Sequence, residues 1–486
     1  MDFYKHDLMI LPRSQYTLYT DQHLEPIFKP IFYKQCYTSP VTDNSLTLRR
    51  IFHTWWPLAA SWMLMSAESP ALSAIVARLA DPKINLAAYG GVVFPLALII
   101  ESPIIMLLAA STALSRDWAS YVRIRRFMMI TSAALTALHL LVAFTPLYYI
   151  IAEGLLHAPA EIIEPARTGL IIMTPWTWSI AYRRFHQGVL IRFGRSKAIT
   201  TGTFIRLATD VFILGIGFLI HTIPGIVVAT SAVAMGVIAE AAYIGLIVRP
   251  VLRYQLHPAP PVDPPLTQGK FMDFYIPLVL TSLISLLVNP IGSAAMGRMP
   301  SPVESLAVWQ VLGGLIFMVR SLGIAYNEVV VALLDEIRSS PALRRFATYL
   351  ISSTTLIWIL LVATPIANIW FTLVTALDPQ LAQMARLGAW MALPMPAVSV
   401  LQSWFQGAIL HSRRTGVITE AVVIYLAVNL FTLILGVVWG KTTGIFIGVG
   451  SLVLSSLAQT FWLWLRSRPA LVEIHARDSY QVDHTG

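Results

Sequence analysis

Cysteine is almost absent. Cys36 is the sole example in 486 residues, which excludes a disulfide within the chain and any cysteine-built metal site. There is also no Gly-rich phosphate loop ending in Lys-Ser/Thr, no His-Glu-x-x-His and no His/Cys cluster. The expectation is therefore no cofactor, no metal and no enzymatic activity. Charge is scarce as well. Asp, Glu, Lys and Arg make up 12% of the chain, where a soluble domain carries about 25%. What fills the space is apolar: 56% of residues are hydrophobic and the mean hydropathy is +0.67. Runs of about 20 apolar residues recur along the body, the length that crosses a bilayer core as a helix. A soluble core would need a polar face on each helix, and these segments lack one.

The chain is written twice. Shifting residues 51–250 by about 220 positions lays Pro57-Leu58 on Pro277-Leu278, Arg78 on Arg298, Pro82 on Pro302 and Leu86-Ala87 on Leu306-Ala307. One residue is then lost. The match resumes with Arg125-Arg126-Phe127 on Arg344-Arg345-Phe346, Gln187-Gly188 on Gln406-Gly407 and Gly225 on Gly444. Apolar periodicity predicts spans at 52–77, 86–114, 127–151, 167–190, 199–220 and 224–248 in the first copy. The second copy has 272–297, 306–334, 346–371, 386–410, 418–438 and 443–465. Six spans per copy is an even number, so both copies enter the bilayer from one side and the repeat is parallel. The expected fold is all-α and integral to the membrane. Its parts are an N-terminal extension (1–50), a first six-helix bundle (51–249), a Pro-rich linker (250–270), a second bundle (271–466) and a cytoplasmic tail (467–486), of which 470–486 reads as disordered.

Orientation follows from the basic residues. Arg49-Arg50 precede span 1; Arg116, Arg123, Arg125 and Arg126 follow span 2; Arg192, Arg195 and Lys197 follow span 4. Arg338, Arg344 and Arg345 follow span 8, Arg413-Arg414 span 10, and Arg466 and Arg468 span 12. All lie at even-numbered junctions or termini. The expected placement is multi-pass in the cell inner (plasma) membrane with both termini cytoplasmic. The formal net charge of +9 thus reflects topology and does not call for nucleic acid. Residues 1–50 contain no apolar run fit for a signal peptide and read as a cytoplasmic extension.

Polar chemistry inside the spans marks the candidate site, because a charge at mid-bilayer costs roughly 3 kcal/mol on insertion scales and is retained facing a cavity or a partner. Glu68, followed by Ser69-Pro70, lies deep in span 1; Glu101, followed by Ser102-Pro103, lies mid-span 2. A proline frees a carbonyl and kinks the helix, and a carboxylate beside it can hold a proton or a cation. Both are candidate coupling residues. Arg320 in span 8 matches Glu101 if the lost residue precedes it; otherwise Ser321 does. Arg320, Ser321, Ser69 and Asn289, the repeat mate of Ser69, are the expected substrate-cleft residues. Arg183 and Arg184 either snorkel to an interface or line a cytoplasmic vestibule with Glu328. Arg206 and Asp210, four apart, are expected to pair on one helix face. Glu240 and His139 read as isolated. The pairs Gly215/Gly217 and Gly448/Gly450 read as helix-packing positions.

Two parallel six-helix copies fit two transporter groups. The loop after span 2, Ala113 to Arg126, lacks the glycines of the major facilitator motif. The chain looks more like the multidrug and toxic compound extrusion (MATE) fold, and within that superfamily it resembles the progressive ankylosis (Ank) family. The resemblance is carried by Trp56-Pro57-Leu58, Glu68, Ala88-Tyr89-Gly90, Ser115-Arg116-Asp117, Gly188 to Ile191, Asn327-Glu328 and Asp335. It implies two bundles around a central cleft, alternating access, and export of anions such as pyrophosphate, nucleotides or citrate. The reading is a monomeric secondary transporter exporting a small organic or phosphate-containing anion, with H+ or Na+ as coupling ion. A cationic-drug antiporter, a lipid-linked oligosaccharide flippase and a membrane scaffold are the rivals. The antiporter is favoured by Glu68 and Glu101 and opposed by Arg320.

Overall fold

The computed structural model describes residues 46–334, 336, 339–412 and 416–480. The N-terminal extension up to residue 45, Asp335, Arg338, Arg413-Arg414 and the tail beyond 480 lie outside the described residues. Every regular element among those described is helical. Twelve rods follow the repeat. The first six are α1 (Leu48–Ser66 with Glu68–Val76), α2 (Pro82–Leu114), α3 (Trp118–Phe144), α4 (Ala160–Ile172 with Thr174–Arg192), α5 (Lys197–Ile220) and α6 (Gly225–Val251). The second six are α7 (Gln268–Gly297), α8 (Pro302–Leu333), α9 (Ser339–Ala363), α10 (Pro379–Met391 with Met395–His411), α11 (Gly416–Trp439) and α12 (Gly444–Tyr480). Nine are long and apolar enough to cross a bilayer among the described residues, and α10, bent by 42°, makes a tenth. The remaining two, α1 and α4, are broken rods that carry Glu68 and the Arg183-Arg184 pair.

The two copies agree at their junctions. Non-helical positive φ angles fall in matched pairs: Asp81 (48°) with Ser301 (54°), His157 (51°) with Ala376 (48°), and His221 (57°) with Gly440 (63°). The residue lost between copies is also located. Tyr89–Val93 of α2 forms a π-helical turn, which inserts one residue, whereas α8 runs as unbroken α-helix. Beyond that turn the spacing is one residue shorter, so Glu101 falls on Arg320 and Ser102 on Ser321. Their local bonds agree: Ser102 Oγ donates to Ile99 O at 2.9 Å and Ser321 Oγ to Met318 O at 2.6 Å. In α2 this bond has a further use. Pro103 has no N–H for the Ile99 carbonyl, and the Ser102 hydroxyl supplies the donor instead.

The bundles meet through α1 and α2 on one side and α7 and α8 on the other. Trp55 Nε1 donates to Leu322 O at 3.1 Å, and the repeat-related Tyr275 hydroxyl donates to Pro103 O. Trp55 packs edge-on to Phe346 with ring centres 5.7 Å apart; Tyr275 packs edge-on to Phe127 at 5.1 Å. At the opposite end, Arg78 donates to the carbonyls of Leu373 and Val374, while Arg298 donates to Leu155 O at 2.9 Å. Lys83 and Glu304, at the starts of α2 and α8, pair at 2.9 Å. Helices α2, α6 and α8 are the central ones, with 56%, 56% and 61% of their apolar windows buried, against 17% for α5 and α7.

Several boundaries differ from expectation. α3 and α9 begin at Trp118 and Ser339, a turn or more early, because their basic first turns project beyond the apolar run that marked them. Asp117 caps α3. Burial opposes its charged form, but the N–H groups of Ser120 and Val262 hold its carboxyl below the usual range. The tail, expected to be disordered from residue 470, continues α12 as helix to Tyr480. Ile474 is buried, and Arg477 donates to Leu334 O at 3.0 Å and Glu336 O at 3.3 Å. Arg50 of α1 pairs with the same Glu336 at 2.6 Å.

Candidate functional site

The chain is interrupted where the sequence placed its kinks. α1 breaks at Ala67, so Glu68 opens the second segment; Pro70 lies two residues on and cannot donate to the Ser66 carbonyl. α2 turns at Met106, after Pro103. These breaks bring Glu68 and Glu101 into a buried network inside the first bundle. Arg206 Nη2 contacts Glu68 Oε2 at 2.9 Å, and its Nε lies 3.9 Å from Glu240 Oε2. Glu240, fully buried, accepts from Arg183 Nη1 and from Gln187 Nε2 at 2.9 Å. Asp210, 3% exposed, has no hydrogen-bond partner on either carboxylate oxygen. Glu101, 2% exposed, has none on Oε1, and the bases acting on it are Arg183 and Arg184. The network thus holds four acids and three arginines. A buried excess of one negative charge invites a proton or a monovalent cation.

Three expectations are corrected here. Arg206 does not pair with Asp210 on their shared helix face; it reaches across to α1 and α6, where the stronger carboxylate contacts are. Glu240 is the hub of the network and not an isolated charge. Arg183 lines no vestibule: its side chain is 7% exposed and paired to Glu240. His139 is satisfied by Thr177 Oγ1 and Leu170 O, both at 2.9 Å, which makes it a packing residue. Gly217 faces Val228 so closely that a Cβ would lie 2.3 Å away, as a packing glycine should; Gly215 faces open space.

The second bundle holds cavities in place of a network. One, of about 360 Å³, is lined by α1, α8, α10 and α12, including Trp62, Arg320, Glu328 and Gln402. Another, of about 310 Å³, lies among α7, α8, α11 and α12 and includes Asn289, Tyr425 and Asn429. Arg320 and Gln459 line both. Glu328 takes a hydrogen bond from Trp62 Nε1 at 3.0 Å, near the C-terminal end of α8. Two expected cleft residues lie elsewhere. Ser321 is buried against its own helix, and Ser69 accepts from Gln310 Nε2 at 3.1 Å in the bundle contact.

These cavities and the charged network are the same place in the two copies. Past the π turn, Arg183 corresponds to Gln402, Gln187 to Gln406, Arg206 to Tyr425, Asp210 to Asn429, Glu240 to Gln459 and Glu101 to Arg320. Even a bond is shared: Arg183 donates to Glu240, and Gln402 Nε2 donates to Gln459 Oε1 at 3.0 Å. One copy fills the position with charges, of which Arg183, Arg206, Glu68 and Glu240 are paired. The other puts neutral polar groups in place of four charges, keeps the glutamine of Gln187 as Gln406, and leaves a cation, Arg320, whose Nε has no partner. The glutamines, Tyr425 and Asn429 were missed in sequence. Their signal was available: each lies one repeat away from a charged or polar intramembrane residue.

Solved structures with this architecture exist. An inward-facing multidrug resistance MATE family transporter of the MOP superfamily superposes with a TM-score of 0.62 at 15% identity, covering 86% of this chain and 98% of that one. The fold is the MATE fold. The eukaryotic MATE transporter AtDTX14 gives a TM-score of 0.59 at 13% identity over 88% of this chain and 99% of its own. The lipid II flippase MurJ in its inward closed conformation gives 0.57 at 14% over 87% and 93%. No protein family matches the sequence, and no curated protein is similar to it. The Ank resemblance rests on the sequence segments alone.

Proposed function

We propose that this MATE-fold protein is a secondary transporter that exports a small anionic solute by alternating access, with the second-bundle cavities as the solute site and the first-bundle network as the coupling site. One observation carries the reading. Arg320 stands in open cavities without a carboxylate partner, at the position where the first copy has Glu101. A buried cation without a counter-charge is costly unless solvent or an anion meets it. Glu101 and Arg320 do not pair in this conformation, since each acts within its own bundle. The two residues therefore belong to two separate sites. Coupling falls to the network, where Glu68 and Glu101 are joined by Asp210. A proton or Na+ there compensates the excess charge and shifts the balance between states through its difference in affinity.

The cationic antiporter is less well supported, because the acids that would attract a cation are largely matched by Arg183 and Arg206. Proteoliposome efflux against a panel of organic anions and cationic dyes tests the reading. Arg320→Ala should abolish anion efflux. Glu68→Gln and Asp210→Asn should leave inserted protein whose transport no longer follows an imposed ion gradient. Anion efflux that persists at the normal rate in Arg320→Ala, or efflux of cations alone, would overturn it.

A further inference from the structure

We infer that the two cavities flanking Arg320 recognise a hydroxyl-rich solute bearing one carboxylate, in chemical class a sugar acid, with that carboxylate on Arg320. The inference rests on the anion reading above and narrows it. Arg320 is the one cation among the residues lining either cavity, and Glu328 is the one anion, set in the same cavity about 12 Å along α8 by helix rise. A single guanidinium pairs with one carboxylate, bidentately and in one plane. A second or third anionic group on the solute would lie unpaired, and Glu328 would repel it. The site therefore disfavours citrate and pyrophosphate.

The remaining lining specifies the body of the solute. It is rich in amides: Asn327, Gln402, Gln406 and Gln459 on one side, Asn289 and Asn429 on the other. Gln402 spends its amide hydrogens on Ser456 O and Gln459 Oε1, and Asn327 and Asn429 donate to Ser403 O and Ser451 Oγ; the remaining N–H groups and carbonyl oxygens still donate and accept as hydroxyls do, so the row matches a polyol in a way that it matches neither a hydrocarbon nor a cluster of charges. Trp62 and Trp309 add flat apolar faces suited to the C–H side of a sugar chain or ring. Each cavity, at about 360 and 310 Å³, lies at the small end of ligand-site volumes. The repeat explains how such a lining arises. The network positions of the first bundle keep their polar character here but not their charge, so the cavity stays wet and neutral around one arginine.

Purified full-length protein in nanodiscs is titrated calorimetrically with gluconate, glucose, acetate, citrate, pyrophosphate and tetraphenylphosphonium. Gluconate should bind. Glucose and acetate, each lacking half of the recognition, should bind at least about tenfold more weakly. Arg320→Gln should weaken gluconate at least about tenfold. Gln406→Ala, which removes an amide but no charge, should weaken gluconate more than acetate. Glu328→Gln should improve citrate relative to gluconate. Citrate or pyrophosphate binding more tightly than gluconate through Arg320 overturns the sugar-acid class while leaving the anion reading in place. Tetraphenylphosphonium binding with no anion bound overturns both. Absence of gluconate binding, or binding unchanged in Arg320→Gln, overturns the assignment.

Discussion

Arg206 shows what sequence spacing can and cannot say about a charge. The residue stood out as intramembrane, and so did its neighbour Asp210 four positions on. Spacing along one helix offers only same-helix partners, and that pair does not form. The guanidinium instead bridges Glu68 and Glu240, which come from helices before and after it. Removing one member of a buried pair leaves an uncompensated charge, which costs about 3–5 kcal/mol. Arg206→Gln should therefore lower thermal stability in detergent or fail to insert, and Glu68→Gln with Arg206→Gln should recover part of the loss. A double variant no more stable than Arg206→Gln would show that Glu68 is not its principal partner. Gly236 of α6 belongs to the same site. A Cβ there would lie 1.8 Å from Asp210 Oδ1 and 3.1 Å from Arg206 Cγ. Gly236→Ala should displace the Asp210 carboxylate and abolish ion-dependent transport, whereas Gly215→Ala, with nothing within 4 Å, should be silent.

At the level of the helix, the twofold writing of the chain was legible from prolines, glycines and loop arginines. The position of the single-residue gap was not, because a π turn has no strong composition cue. Its sequence, Tyr-Gly-Gly-Val-Val, reads as ordinary apolar helix. The glycines are nonetheless constrained. A Cβ on Gly90 would lie 2.6 Å from Gln310 Cβ, and one on Gly91 would lie 2.9 Å from Leu306, so α2 and α8 approach closely at the bulge. Deleting Val93 should convert the turn to the unbroken α-helix that α8 already is and leave Glu101 and Pro103 in register, because the bulge absorbs one extra residue. α8 has no such turn, so deleting Gly313 should rotate everything after it by about 100°, one residue of helix. Arg320 would leave the cavities and Leu322 would leave the Trp55 indole, so this deletion should be far more damaging to folded yield than loss of Val93. Equal damage from both deletions would refute the claim that the bulge absorbs the extra residue. The end of α12 went unread for a different reason. Past Arg466 the helix leaves the apolar run, and its stabilising contacts, such as Arg477 with the 334 and 336 carbonyls, come from tertiary structure.

For the molecule as a whole, the twelve-helix plan and the broken intramembrane helices were foreseeable, while the partition of charge between the bundles needed the structure. The twofold relation also yields a mechanical expectation. At the end away from the connector, two arginines related by the repeat each clasp backbone carbonyls of the other bundle: Arg78 those of Leu373 and Val374, Arg298 that of Leu155. The basic-residue bias predicts that this end faces outside. Both clasps must release before the bundles part on that face. Because they are equivalent, Arg78→Ala and Arg298→Ala should each loosen the face partly and by similar amounts, and the double variant should loosen it more than either. Gly292 offers a reporter, since it lines the cavity among α7, α8, α11 and α12 and has room for a Cβ. With Cys36→Ser and Gly292→Cys in place, labelling by a membrane-impermeant maleimide added outside should rise stepwise from intact protein through single to double variants. A flat response across the series would mean that the clasps do not close the outer face. Labelling from the connector side alone, rising with the same variants, would mean that the chain is inserted the other way round.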